Sequence, residues 1–268
     1  MIQPVKWVRL PFPFDPQRLR SDLRRAEESA WAAHFNRSDY SGEWSGIALR
    51  SPSGSSNDIF SPPGSTDFRD TEVIQQCEYF SQVVGTFECP VKAVRLLRLR
   101  AGSVILEHTD SDLRFDEGEM RIHVPVLTNP EVEFVVAGRR LLLNEGDCWY
   151  IDFSLPHRIH NRGTTDRIHL VIDATVNQWA RSLIESAAKE MVDRPDIAAE
   201  CRDFEQFREL VFEDQPLQSL LLAAPDQPAF IARSVELGRE RGFQFTADDV
   251  LSAVRSGRRA WSERQAKV

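Results

Sequence analysis

Between Val91 and Asp173 the apolar residues fall in short runs broken by Gly, Asn or Pro, the pattern of strands rather than helices. The runs predict strands at about 91–100, 103–107, 120–127, 131–137, 139–143, 147–153 and 167–173. Ala137-Gly138 and Asn144-Glu145-Gly146 suit tight turns between them. Short strands in close succession, without alternating helices, predict a mainly β chain, a jelly roll or barrel, of which the double-stranded β-helix (jelly roll) is taken as the expected fold. Before it, Asp15 to about Phe35 reads as a helix with Pro16 in its first turn and Leu19, Leu23, Ala26, Ala30 and Trp31 as its stripe. Ser38 to Ser65 is rich in Ser, Gly and Pro and reads as a long functional or disordered loop.

After Asn177 the period becomes helical. Phe204, Phe207, Leu210 and Val211 share one helix face, and Thr246 with Asp249 reads as a capping box before Val250-Leu251. The expected organisation is a jelly-roll domain over 1–185, with flanking helices, and a small helical domain over 200–268.

Composition narrows the function classes. Hydrophobic residues make up 41% and charged residues 28%, as in folded globular chains. The net charge of -8, from 33 basic and 41 acidic residues, offers no general attraction to nucleic acid or anionic membranes. The opening MIQPVKWVRLPFPF has no continuous apolar stretch like that of a signal peptide, and no run is long enough to span a bilayer. Cys77, Cys89, Cys148 and Cys201 form no C-x-x-C pair, so a reducing, cytoplasmic setting is expected.

Five of the six histidines lie inside the β region. His108 and Asp110 are two apart, so in extended chain both side chains point the same way. His157, far along the sequence in a candidate turn before Asn161-Arg162-Gly163, can meet them across the mouth of a jelly roll. Two imidazoles and one carboxylate leave coordination positions open, which suits a non-haem iron(II) oxygenase. In RIHLVID, Arg167, His169, Val171 and Asp173 share one face, and in RIHVPVL Arg121 pairs with His123. If these rows face inward, a buried guanidinium needs an anion, and a dicarboxylate cosubstrate supplies one.

The run RIHVPVLTN, a following Gly-Asp-x-Trp/Tyr strand and PHRIHNRGTTDRIHLVID resemble the aspartyl/asparaginyl β-hydroxylase family, which includes bacterial proline hydroxylases. The resemblance extends over about 40–180, including WSGIALRS. It implies an iron(II)- and 2-oxoglutarate-dependent enzyme that uses O2 to hydroxylate an amino acid or an amino-acid residue of a peptide. It further implies His108 and His157 as iron ligands, Arg167 on the distal carboxylate of 2-oxoglutarate, His123 hydrogen-bonded to it, and Arg121 facing cosubstrate or substrate. Some family members lack a carboxylate ligand, so Asp110 places the chain nearer the proline-hydroxylase-like branch. Trp44 either covers a substrate or anchors its loop; His123 is either a cosubstrate contact or a core histidine. His160 and His169 are expected behind the ligands or on the surface.

Two rivals remain at this point. One is a cupin-type metalloenzyme without 2-oxoglutarate, with His123 as an added ligand; the other is a non-catalytic binding module on the same fold. Residues from about 203 to 262 resemble the helical leader-peptide domains of ribosomally made peptide natural products, which implies partner binding or substrate guidance; the alternative is a helical cap that stabilises the barrel or a dimer.

Overall fold

The computed structural model describes residues 5–193 and 204–250, apart from 63, 111, 112, 205, 209, 212, 213, 244, 246, 248 and 249. Thirteen strands are present among these residues: β1 (Trp7–Leu10), β2 (Ala32–Ala33), β3 (Tyr40–Ser41), β4 (Trp44–Ser51), β5 (Arg69–Asp70), β6 (Val91–Leu99), β7 (Val104–His108), β8 (Glu119–Leu127), β9 (Val132–Val136), β10 (Arg139–Leu141), β11 (Cys148–Ile151), β12 (His157–Asn161) and β13 (Arg167–Thr175). The helices are α1 (Pro16–Ala26), α2 (Glu72–Gln76), α3 (Glu78–Gly85), α4 (Gln178–Asp193), α5 (Gln215–Leu222) and α6 (Gln227–Glu240).

The strands form two antiparallel sheets. The larger runs β1-β11-β8-β13-β6-β4-β2, with β5 beside β4; the smaller runs β10-β9-β12-β7-β3. From β6 onward the chain shuttles between them, which is the winding of a double-stranded β-helix. The facing sides bury Leu97, Leu99, Ile151 and Val171 from one sheet against Ile105, Phe134, Val136 and Ile159 from the other. At the β9–β10 turn Ala137 (φ 47) and Gly138 (φ 76) both adopt the left-handed region, as a two-residue hairpin requires.

α1 starts where Asp15 accepts from the Gln17 and Arg18 amides ahead of Pro16. It ends at Ala26, short of the predicted Phe35. Ala32 and Ala33 instead pair with Gly46 and Ser45 of β4, so sheet-edge pairing overrides the helical preference of alanine. On the next helix pair, the buried Asp22 carboxylate accepts from the Tyr79 and Phe80 amides and closes the open start of α3.

Two further expectations change. The predicted 38–65 loop contains β4, which lies between β6 and β2 and is buried almost throughout. Burial on both faces removes the alternation that identifies a strand. A Cβ on its Gly46 would lie 3.0–3.2 Å from Leu97, the Leu96 carbonyl and Ile59, so any larger side chain there would have to push these neighbours aside. His157 lies not in a turn but at the start of β12, between β7 and β9. There His157, Ile159 and Asn161 point inward while Arg158 is exposed, so the strand period is present but carried by polar residues. The strands predicted at 139–143 and 147–153 shorten to β10 and β11.

Two compact units divide the chain, Met1–Ala188 and Lys189–Val268. In the second, Phe204, Phe207, Leu217, Leu221, Leu237, Phe245 and Val250 form a core, with Leu210 and Val211 packed on it. The predicted capping residues Thr246 and Asp249, and the chain from 251 on, lie outside the described residues. Among the described residues no helix is long and apolar enough to cross a membrane.

Candidate functional site

Strand pairing assembles the first part of the site. His157 at the start of β12 lies directly opposite His108 at the end of β7. Their rings are 4.2 Å apart. Just beyond β7, the Asp110 amide donates to the Phe153 carbonyl at 2.9 Å and fixes the chain so that its carboxylate turns back toward His108. Asp110 Oδ1 is 3.5 Å from His108 Nε2. One ligating atom from each of His108, Asp110 and His157 lies within 4.8 Å of the others.

Both imidazoles are oriented by the same device. His108 Nδ1 donates to the Leu106 carbonyl at 2.8 Å, and His157 Nδ1 to the Leu155 carbonyl at 3.0 Å. A carbonyl can only accept, so the protons sit on Nδ1 and each Nε2 lone pair is free for a metal. Burial lowers the pKa of His157, opposed by the Asp110 charge.

Arg121 closes the far side of the carboxylate. Its Nη1 donates to Asp110 Oδ2 at 2.6 Å, while Nε and Nη2 grip Asp173 at 2.6 and 3.1 Å. Arg95 donates to the same Asp173 and to the Ile59 carbonyl. Burial acts against the Arg121 charge, but Asp173 and Asp110 outweigh it and raise the pKa. Burial likewise pushes the Asp173 pKa upward, yet Arg121 and Arg95 hold it below the usual value. Arg121, expected to face cosubstrate or substrate, is thus engaged with two carboxylates of the protein.

A second group lies deeper between the sheets. Arg167 is the largest fully buried side chain among the described residues, at 2% exposure. Its Nη2 donates to His169 Nδ1 at 2.7 Å, and His123 Nδ1 lies 3.1 Å from the same nitrogen. No carboxylate among the described residues pairs with Arg167, and desolvation pulls its pKa down to about 9. Arg167 Nε and His123 Nε2 are buried without a partner. Burial, then the Arg167 charge, hold His123 and His169 well below the ordinary histidine range. His169, expected behind the ligands or on the surface, is the bridge between Arg167 and His123.

Phe153 joins the two groups. Its ring stacks on His123 at 4.8 Å and meets His157 edge-on at 4.7 Å. Trp44 is a buried β4 residue whose indole stacks on His34 at 3.4 Å. Exposed Phe35 and Phe60 extend this aromatic group. His160 is a partly exposed residue within β12, opposite Val104 and Glu133.

The arrangement fits iron and 2-oxoglutarate: neutral imidazoles and one carboxylate for a divalent ion, and a buried cation without an anion for a dicarboxylate. Residues 15–176 match the family model described as Aspartyl/Asparaginyl beta-hydroxylase. The chain belongs to this family. L-proline cis-4-hydroxylase of Rhizobium meliloti (strain 1021) is 26% identical over 184 residues, 68% of this chain and 65% of that protein's length. Among solved structures, an oxidoreductase of the 2OG-Fe(II) oxygenase family from Burkholderia pseudomallei is similar with TM-score 0.45 and 13% identity, covering 66% of this chain and 90% of that one. HygX from Streptomyces hygroscopicus, solved with nickel and 2-oxoglutarate, is similar with TM-score 0.41 and 10% identity, covering 65% and 84%.

Against the family motifs, the sequence reading missed His34, Arg95, Phe153 and Asp173 as parts of this site. Arg95 and Asp173 carried a usable signal, since charged residues in otherwise aliphatic strands are costly to bury unless paired. His34 and Phe153 carried none.

Proposed function

We propose that this chain is an iron(II)- and 2-oxoglutarate-dependent hydroxylase of an amino acid or an amino-acid residue of a peptide. The observation that carries the reading is a buried guanidinium without a protein carboxylate, linked through His169, His123 and Phe153 to a cluster of two histidines and one aspartate.

His108, Asp110 and His157 hold the metal through Nε2, one carboxylate oxygen and Nε2. Arg167 binds the distal carboxylate of 2-oxoglutarate, with His123 beside it; the two unpartnered nitrogens are then satisfied by ligand rather than left as a desolvation penalty. When bound, iron(II), 2-oxoglutarate and O2 supply oxidative decarboxylation coupled to hydroxylation of a C–H bond. Phe134 and Phe153 line this region and keep it dry, which strengthens the grip of Arg167. Trp44 stacked on His34 presents an aromatic wall to the substrate, and its unpartnered indole N–H is a donor for a polar substrate group.

The cupin-type alternative needs His123 among the ligands. His123 Nδ1 instead meets His169, and the metal cluster found among the described residues does not include His123. The test is succinate release with iron(II), ascorbate and 2-oxoglutarate across free amino acids and short peptides, with L-proline first because the curated relative is a proline hydroxylase. Succinate matched by hydroxylated product supports the reading; no 2-oxoglutarate consumption with any of them supports a binding module.

A further inference from the structure

The buried indole of Trp44 carries an N–H with no hydrogen-bond partner, and Nδ1 of His34, in the ring stacked on it, has none either. The rest of this pair is fixed. The His34 amide donates to the Trp44 carbonyl at 2.8 Å, which continues the β2–β4 pairing beyond Ala33. The Tyr40 hydroxyl donates to the His34 carbonyl at 3.3 Å, and its ring meets the indole edge-on at 5.8 Å. Two orphaned nitrogens in so constrained a group cost folding energy, and a polar ligand group placed against them removes that cost.

The stack lies between the metal cluster and the surface. On its inner side, Trp44 belongs to the same buried cluster as Phe153, whose ring touches His157. The charges of Arg95, Arg121, Asp110 and His108 all act on His34. On its outer side, Phe35 stacks on His34 at 4.5 Å and meets Phe60 edge-on at 4.6 Å. Phe35 is 54% exposed and Phe60 42%. Phe60 is held there through its neighbour Ile59, whose carbonyl accepts from Arg95 and whose side chain packs against Gly46 of β4. Four rings thus lead outward from the site, ending in two large apolar groups that face water.

The chemistry of the occupant follows from these groups. Neutral nitrogens at the inner end and phenyl rings at the outer end favour an uncharged acceptor bearing an apolar side chain over a carboxylate. A peptide group meets the first need. Its carbonyl accepts from Trp44 Nε1, and its N–H is a donor for a neutral imidazole nitrogen. A substrate that stops at the metal cluster would leave Phe35 and Phe60 uncovered; one that continues as a chain would cover them.

We propose that the His34–Trp44 stack and the Phe35–Phe60 pair form a subsite for the residue adjoining the hydroxylated one in a peptide substrate, with Trp44 Nε1 donating to a peptide carbonyl and the two phenyl rings taking an apolar side chain. This rests on the hydroxylase reading above and selects a peptide over a free amino acid.

The experiment measures binding by calorimetry to the full chain loaded with Ni(II) and 2-oxoglutarate, so that no turnover intervenes. The probes are tripeptides with each coded residue at the centre, flanked either by phenylalanine or by glycine, beside the free amino acids. For the preferred central residue, the phenylalanine-flanked peptide should bind about 10–100-fold tighter than the glycine-flanked one, the effect of burying an aromatic side chain. Phe35→Ala combined with Phe60→Ala should abolish that ratio; both residues are exposed, so this variant should fold. Trp44→Phe keeps a ring on His34 but has no N–H, and should weaken the glycine-flanked peptide by about 3–10-fold, the loss of one neutral hydrogen bond. Equal binding of the two peptide series by the parent, a ratio that survives in the Phe35 and Phe60 double variant, or failure of every peptide to bind overturns the proposal. Parent-like affinity in Trp44→Phe overturns the part given to the indole; should that variant not fold, the ratio test stands without it. Peptide binding with the expected ratio, but no 2-oxoglutarate consumed by the iron(II) protein, would keep the subsite and overturn the hydroxylase reading instead.

Discussion

His157 lies across the β12–β7 ladder from His108, so two residues 49 positions apart in sequence become a register pair with rings 4.2 Å apart. The backbone hydrogen bonds that pair the strands therefore also set the spacing of the two imidazoles. A metal bound between them, and absent from the unfolded chain, stabilises the native state by mass action.

Metal binding should accordingly raise the melting temperature. At a free metal concentration one hundred times Kd the gain is about 2.7 kcal/mol. Differential scanning calorimetry with Ni(II) or Mn(II), then with excess chelator, should show this shift in the parent chain. His157→Ala should remove the shift; a shift of equal size in that variant would sink the assignment of His157.

Arg167 makes opposite demands on stability and on binding. Its guanidinium is buried with only neutral His169 as a polar partner among the described residues, so it costs folding energy. Arg167→Met should leave the melting temperature unchanged or raise it. The same variant should lose about 2–5 kcal/mol of 2-oxoglutarate affinity, the usual cost of breaking a buried charge contact. Tryptophan fluorescence titration with 2-oxoglutarate in the presence of Mn(II) reads the second effect. Unaltered affinity would place the dicarboxylate elsewhere.

The acid limb of stability should contain a contribution from His34. Burial, aided by the charges of Arg95 and Arg121, lowers its pKa from 6.5 to about 3. Between these values the unfolded chain holds a proton that the folded chain lacks, so stability from this residue is present above pH 6.5 and declines as pH falls toward 3. His34→Phe, which retains the stacking surface for Trp44, should make unfolding take up one proton fewer near pH 5. Urea denaturation at several pH values measures that slope. An identical slope in parent and variant would show that His34 titrates normally.

Truncation after Asp193 should leave Ni(II) affinity intact, because every proposed ligand lies between residues 108 and 157. Phe204, Phe207, Leu217 and Leu237 belong to the core of the second unit. If the helical segment guides a peptide substrate, the truncated chain should keep turnover of a free amino acid and lose turnover of the peptide. Loss of metal affinity on truncation would instead make the segment part of the iron site's support.

The sequence alone determined the β class, the turn at Ala137-Gly138 and the shared direction of His108 and Asp110, because each is a local property. Alternating apolar positions, a left-handed turn and the two-residue spacing of His108 and Asp110 all depend on neighbours within a few residues. It also marked Arg167 as a residue in need of an anion, since a charge among aliphatic neighbours is conspicuous. Tertiary structure decided the rest. β4 was hidden because burial on both faces erases its alternation, and β12 because its inward positions hold His157 and Asn161. α1 stopped at Ala26 because the edge of β4 captured Ala32 and Ala33. Most of all, the contacts of Arg121 depended on which carboxylates lay within reach. Asp110 is eleven residues away and Asp173 fifty-two; pairing of β8 with β13 brings up Asp173, and the packing of the two sheets brings Asp110, just after β7 of the smaller sheet, to the same guanidinium.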